Sequence, residues 1–249
     1  MLFQRNEHNT IVGVLASMNQ DLLVTNKCWF GGGTAIVLKH GEYRKSLDLD
    51  FLCADGAGYR ELRNAFFEQG IHALFTSRTR SLRDVQADGY GIRVFIEHEG
   101  LPIKFEIVRE VRIELDGAVD PLLQVPTLSP SDMFAEKLLA NADRCYDRAV
   151  AYRDAIDLGR LVEAYGHIPD TAVAKAEKAY GRDVPRKAMG ILNHLQKVSE
   201  LRYAASVLDM DEDAAISAIA SLRRDCIRIW PEAGILRDPD PEAGEDFGM

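Results

Sequence analysis

The feature that most constrains this chain is a glycine triplet, Gly31-Gly32-Gly33, that opens a helical run. About twenty residues on comes the apolar segment Ser46-Leu47-Asp48-Leu49-Asp50-Phe51. Glycines let backbone approach a ligand closely, and N–H groups at a helix start suit phosphate oxygens. In a strand, side chains at i and i+2 point to the same face. Asp48 and Asp50 therefore project together from a buried strand expected over 47–53. Two carboxylates on one face offer oxygen ligands to magnesium. Phosphoryl or nucleotidyl transfer needs little more than positioning and charge neutralisation. The plain alternative is a strand whose acids face water, against which stand Leu47, Leu49, Phe51 and Leu52. Thr34 is a candidate cap for the helix. Ser46 either donates its hydroxyl to a phosphate or closes a local turn.

Around this core the pattern is mixed up to residue 126 and helical after it. Helical spacing runs over 8–24, 34–40 and 59–69. Strand character marks 73–82, 85–87, 91–97 and 101–108, with a hairpin turn at Glu97-His98-Glu99-Gly100 and a further sheet segment at 111–115. From Ser129 the β signals vanish. Ser131-Asp132 after Pro130 caps a helix to about Ala142. Helical patterns follow over 148–165, 170–180, 185–195, 199–208 and 211–230. The expected division is 1–126, then a helical unit at 127–238, then an acidic disordered tail at 239–249.

Charge and cysteine usage narrow the function classes. The net charge of −9 excludes a general polyanion binder, so a nucleic-acid partner needs a local basic patch, with Arg78, Arg80, Arg83, Arg109 and Arg112 as candidates. Cys28, Cys53, Cys145 and Cys226 lack paired spacing and read as free thiols in a reducing cytoplasm. No apolar run reaches the ~18 residues that span a bilayer. The histidines show no metal-ligand spacing, and no Ser-His-Asp or Cys-His arrangement is supported.

The segments GG-T-A and S-x-D-x-D-F resemble the DNA polymerase β-like nucleotidyltransferase superfamily, and more closely the AbiEii/AbiGii (MenT-like) toxin family, over residues 28 to 165. The resemblance implies an α+β fold, with an N-terminal polymerase β-like nucleotidyltransferase domain (a mixed sheet flanked by helices) followed by a C-terminal helical bundle. It implies a third carboxylate, matched by Glu106 in Ile103-Lys104-Phe105-Glu106-Ile107-Val108, where alternation puts Glu106 on one face with Lys104 and Val108. It also implies a triphosphate-contacting lysine, matched by Lys137, and a later acidic pair, matched by Asp154 and Asp157 in Arg153-Asp154-Ala155-Ile156-Asp157-Leu158. Arg144 and Arg148 are further phosphate candidates.

The expected activity is NMP transfer from a nucleoside triphosphate, with Mg2+ or Mn2+ at Asp48, Asp50 and Glu106. Gly31, Gly32, Gly33, Thr34, Ser46, Lys137, Asp154 and Asp157 would surround the nucleotide. The resemblance further implies the toxin of a bacterial toxin–antitoxin or phage-defence pair, with tRNA as acceptor, an antitoxin protein as partner and the cytoplasm as location. Two other readings stay open: a kinase-like enzyme acting on a protein, and a catalytically silent nucleotide- or partner-binding protein.

Overall fold

The computed structural model of the protein describes residues 3–76 and 78–237. Its centre is a mixed sheet. Strand β1 (Cys28–Phe30) pairs antiparallel with β2 (Leu49–Cys53), which runs parallel to β6 (Leu101–Arg109). β6 forms an antiparallel hairpin with β5 (Gly91–His98), and β3 (Thr79–Ser81) and β4 (Gln86–Ala87) both add to β5. On the other side, β8 (Pro126–Leu128) lies parallel to β1 and pairs with β7 (Gly117–Val119).

Alternation along β2 and β6 decides what each sheet face carries. Leu49, Phe51, Ile103, Phe105 and Ile107 are buried on one face. There Phe51 packs on Phe30 at 5.2 Å between ring centroids and on Phe105 at 5.8 Å, and Phe105 meets Phe75 edge-on at 5.0 Å. Each fully buried phenylalanine is worth about 1.5–3 kcal/mol, so this aromatic line fixes the register. The opposite face is left with Asp50 and Leu52 on β2, and Glu106 and Val108 on β6.

Helices α1 (Asn6–Ser17), α2 (Gln20–Thr25), α3 (Gly32–Lys39) and α4 (Gly56–Gln69) belong to the sheet half. The helical half comprises α5 (Pro130–Arg144), α6 (Arg153–Tyr165), α7 (Asp170–Tyr180), α8 (Asp183–His194), α9 (Val198–Leu208) and α10 (Glu212–Ile229). Helix α5 starts sharply. Ser129 accepts a hydrogen bond from the Asp132 N–H at 3.1 Å, and Pro130 takes the first turn, where its missing N–H costs nothing. A single hydrophobic core runs through both halves, from Ile11 to Cys226.

Several sequence expectations shift. The helix expected over 8–24 is two helices, broken at Met18-Asn19, where the Asn19 side chain caps α2. The strand expected over 73–82 is a 3-10 turn at Gly70–Ala73 and only three strand residues, because Ile71, Leu74 and Phe75 pack into the core as a turn. Residues 111–115 form no strand, while β7 and β8 lie in the stretch expected as a connection. The cap of α5 is Ser129 rather than Ser131-Asp132. The helix expected over 148–165 is interrupted by a left-handed pair, Ala151 and Tyr152, before α6. All four cysteines are free and buried. The tail at 239–249 lies outside the described residues.

Candidate active site

Residues of the acid-bearing face of β2 and β6, of helix α5 and of the N-terminus of α3 line one cleft. The result is an open-mouthed cleft of about 240 Å3.

Asp50 sits at the base. It lies opposite Glu106 in the parallel register of β2 and β6, so the two carboxylates are neighbours on one face. The strand begins at Leu49, so Asp48 is the residue just before it, yet its carboxylate also lines the cleft. Burial, and then the charge of Asp48, hold the Asp50 carboxyl above the usual range. Among the described residues no hydrogen-bond donor or ion-pair partner meets the carboxylate of Asp48 or Asp50. Two like charges pressed together without a partner favour a cation.

The glycine loop fits against these acids. The Gly31 N–H donates to the Asp50 carbonyl at 2.8 Å, tying the loop to β2. Gly32 has φ +66°, and a Cβ there would lie 2.6 Å from Asp50 Oδ2. Only glycine satisfies both demands. Gly32, Gly33 and Ser46 line the cleft, whereas Gly31 and Thr34 do not. Thr34 is fully buried and shares a 2.9 Å hydroxyl contact with Ser46, so it positions that serine from behind.

The opposite wall is cationic. Lys137 enters from α5, with its Nζ 2.8 Å from Asp154 and 2.6 Å from Asp157. Asp154 also accepts from Arg144 Nε at 2.7 Å. Asp157 also accepts from Arg44 Nε and Nη2, both at 2.8 Å, and from the Tyr43 hydroxyl at 2.6 Å. Burial alone would raise both carboxyls, but the adjacent cations hold them below the ordinary range. The acidic pair thus lies behind Lys137 rather than in the cleft wall. Lys137, Arg44, Arg144 and Arg153 face the cleft instead. Arg148 turns away to Glu200 and stacks on Tyr203.

The sequence reasoning passed over Arg44, whose only signal was its place two residues before Ser46. It also passed over Arg93. Glu106 has both oxygens engaged: Oε1 accepts from Arg93 Nε at 2.6 Å and Oε2 from Lys104 Nζ at 2.8 Å. Burial opposes ionisation there, but these donors hold the carboxyl below the usual range. Glu136, which also lines the cleft, is pushed up to about 8 by burial and by the neighbouring Glu110.

A divalent ion fits this donor set. Asp48 and Asp50 are unpaired carboxylates beside a glycine loop, and Mg2+ commonly takes one or two carboxylates together with water and substrate phosphates. Among the described residues no three acidic, histidine or cysteine side chains form a closed metal cage.

The fold is similar to that of JHP933 from Helicobacter pylori, at 17% identity and TM-score 0.56, covering 93% of this chain and 96% of that one. A second H. pylori structure, proposed to be a nucleotidyltransferase, matches at 17% identity and TM-score 0.53 over 90% of this chain and 95% of that one. These likenesses establish the fold alone. No curated protein sequence matches the chain. The sequence profile of the nucleotidyltransferase AbiEii toxins of type IV toxin–antitoxin systems matches residues 14–225. With its glycine loop, paired acids and facing lysine in one cleft, the chain belongs to the AbiEii family of nucleotidyltransferase toxins.

Proposed function

We propose that the protein transfers a nucleoside monophosphate from a nucleoside triphosphate to a hydroxyl on the acceptor end of tRNA, with Mg2+ as the resident ion. The observation that carries this reading is the pairing of two unlike walls across one cleft. Unpaired Asp48 and Asp50 stand on the sheet, and Lys137, Arg144 and Arg44 stand opposite. A metal-bound triphosphate needs such a pair of walls.

Asp48 and Asp50 would hold the ion, while Glu106, opposite Asp50 on the neighbouring strand, is engaged by Arg93 and Lys104. The ion would neutralise phosphate charge and polarise the α-phosphate. The α3 N-terminus, with Gly32, Gly33 and Ser46, cradles phosphate oxygens through N–H and hydroxyl donors. Lys137 and Arg144 offset charge developing on the leaving pyrophosphate. The acceptor oxygen bonds to the α-phosphorus, its proton passes to a cleft carboxylate, and the bond to the bridging oxygen breaks. As a toxin the protein would act in the cytoplasm, restrained by a cognate antitoxin.

Incubation with α- and γ-labelled triphosphates and total cellular RNA tests the reading. Label should enter RNA from the α position only, and Asp50→Asn should abolish it. Incorporation solely from the γ position would instead establish a kinase-like phosphotransferase. Failure of Asp50→Asn to slow transfer would refute the assigned site.

A further inference from the structure

The three carboxylates on this sheet face are not equivalent. Asp48 and Asp50 have no ion-pair partner among the described residues. Glu106, one strand over, has two. Arg93 reaches it from β5, where the antiparallel register sets the two residues opposite each other. Lys104 reaches it along β6 from two residues away, on the same face. Neither cation is a loose surface charge: the Arg93 and Lys104 side chains are 38% and 40% exposed, and Glu106 is 14% exposed. Lys104 also lines the cleft beside Asp50.

We propose that Lys104 and Arg93 hold Glu106 out of the metal site in the nucleotide-free protein, so that a divalent ion is taken there by Asp48 and Asp50 alone. This rests on the metal-dependent reading of the cleft given above. A carboxylate whose two oxygens already accept from a guanidinium and an ammonium is largely neutralised and fixed in orientation, so an ion gains less by binding it and must approach two positive charges to do so. Lys104 additionally repels any divalent ion near Asp50, since two positive charges a few ångströms apart interact strongly where solvent is partly excluded. The lysine thus serves as a built-in substitute cation. It keeps three acids from crowding one face uncompensated, at the expense of metal affinity.

Mn2+ binding to the full chain without nucleotide, followed by electron paramagnetic resonance, tests this directly. Asp50→Asn should weaken binding by about tenfold or more, whereas Glu106→Gln should change it by less than about twofold. Lys104→Met should tighten binding by about tenfold, and most of that gain should vanish in the Lys104→Met/Glu106→Gln double variant. If Lys104→Met folds poorly, Glu106→Gln in the otherwise native chain decides alone. A loss of affinity in Glu106→Gln equal to that in Asp50→Asn would overturn the proposal, as would the absence of any gain in a folded Lys104→Met. The outcome is separable from the transfer reaction. A chain that binds Mn2+ in this pattern yet moves no nucleotide would sink the transferase reading and leave this inference standing.

Discussion

Asp157 offers the sharpest test of how the helical wall is built. Its side chain is wholly buried and compensates two buried cations, Arg44 at 3% and Lys137 at 6% side-chain exposure. Replacing it with asparagine keeps the volume but removes the charge. Arg44, nearly buried in the cleft wall, then loses its bidentate partner, while Lys137 retains Asp154. Breaking a buried ion pair from one side costs about 3–5 kcal/mol. For a chain of this size that corresponds to a fall in melting temperature of roughly 6–20 °C. Urea unfolding of Asp157→Asn followed by circular dichroism measures it. The compensated pair Arg44→Met/Asp157→Leu should recover much of the loss, because well-packed apolar replacements of buried pairs are often neutral. A loss below about 1 kcal/mol in the single variant would refute the claim that Asp157 works as a counter-ion bracket. The acid limb gives a second reading. Asp154 and Asp157 bind protons more weakly folded than unfolded. Their stabilisation is complete above the unfolded carboxyl value of 3.8 and is lost as pH falls through their lower folded values. Asp157→Asn should therefore flatten the acid limb.

Three other outcomes are expected. Gly32→Ala forces a Cβ against Asp50 at a left-handed position, so stability should drop by about 1–3 kcal/mol and transfer should fall with it, checked by melting and by label incorporation. Lys137→Met should lower kcat/KM for the triphosphate by about a hundredfold, yet destabilise less than Asp157→Asn, because Arg44 and Arg144 still neutralise the two aspartates. Glu136 has a folded value near 8 against a usual 4.5, so its stabilising effect is full at acid pH and is lost as pH rises through that window. Melting curves between about pH 5 and about pH 8 should show a decline in the wild type that Glu136→Gln lessens.

The acids and glycines of the site were legible because local chemistry marks them. A glycine forced to φ +66° and a D-x-D in an apolar strand are written in neighbouring residues. Glu106 was legible through the family resemblance, but its two cationic partners were not. Arg93 meets it only through the β5–β6 pairing, and single-sequence periodicity does not reveal which strands pair. Asp154 and Asp157 were legible through the same resemblance, but their place behind Lys137 depends on how α6 packs against α5. The same limit explains β7 and β8. Three-residue strands leave too short an alternation to read, and Thr127 joins the sheet through partners distant in sequence or on another short strand, Phe30 on β1 and Ala118 on β7.

That small strand sets a length rule. β1 and β8 lie side by side, and each runs almost at once into one wall of the cleft: β1 through Gly31 into α3, β8 through the single residue Ser129 into α5. Lys137 stands seven residues past Pro130, about 10 Å along a rigid rod anchored to the sheet edge. One inserted residue in that stretch would swing the ammonium about 100° around the helix and away from the acids. The turn at Asp120–Gln124 is pinned as well, since Asp120 pairs with Lys39 at 2.7 Å and Leu123 is fully buried. Length variation among natural or engineered versions of this protein should therefore stay out of the first two turns of α5.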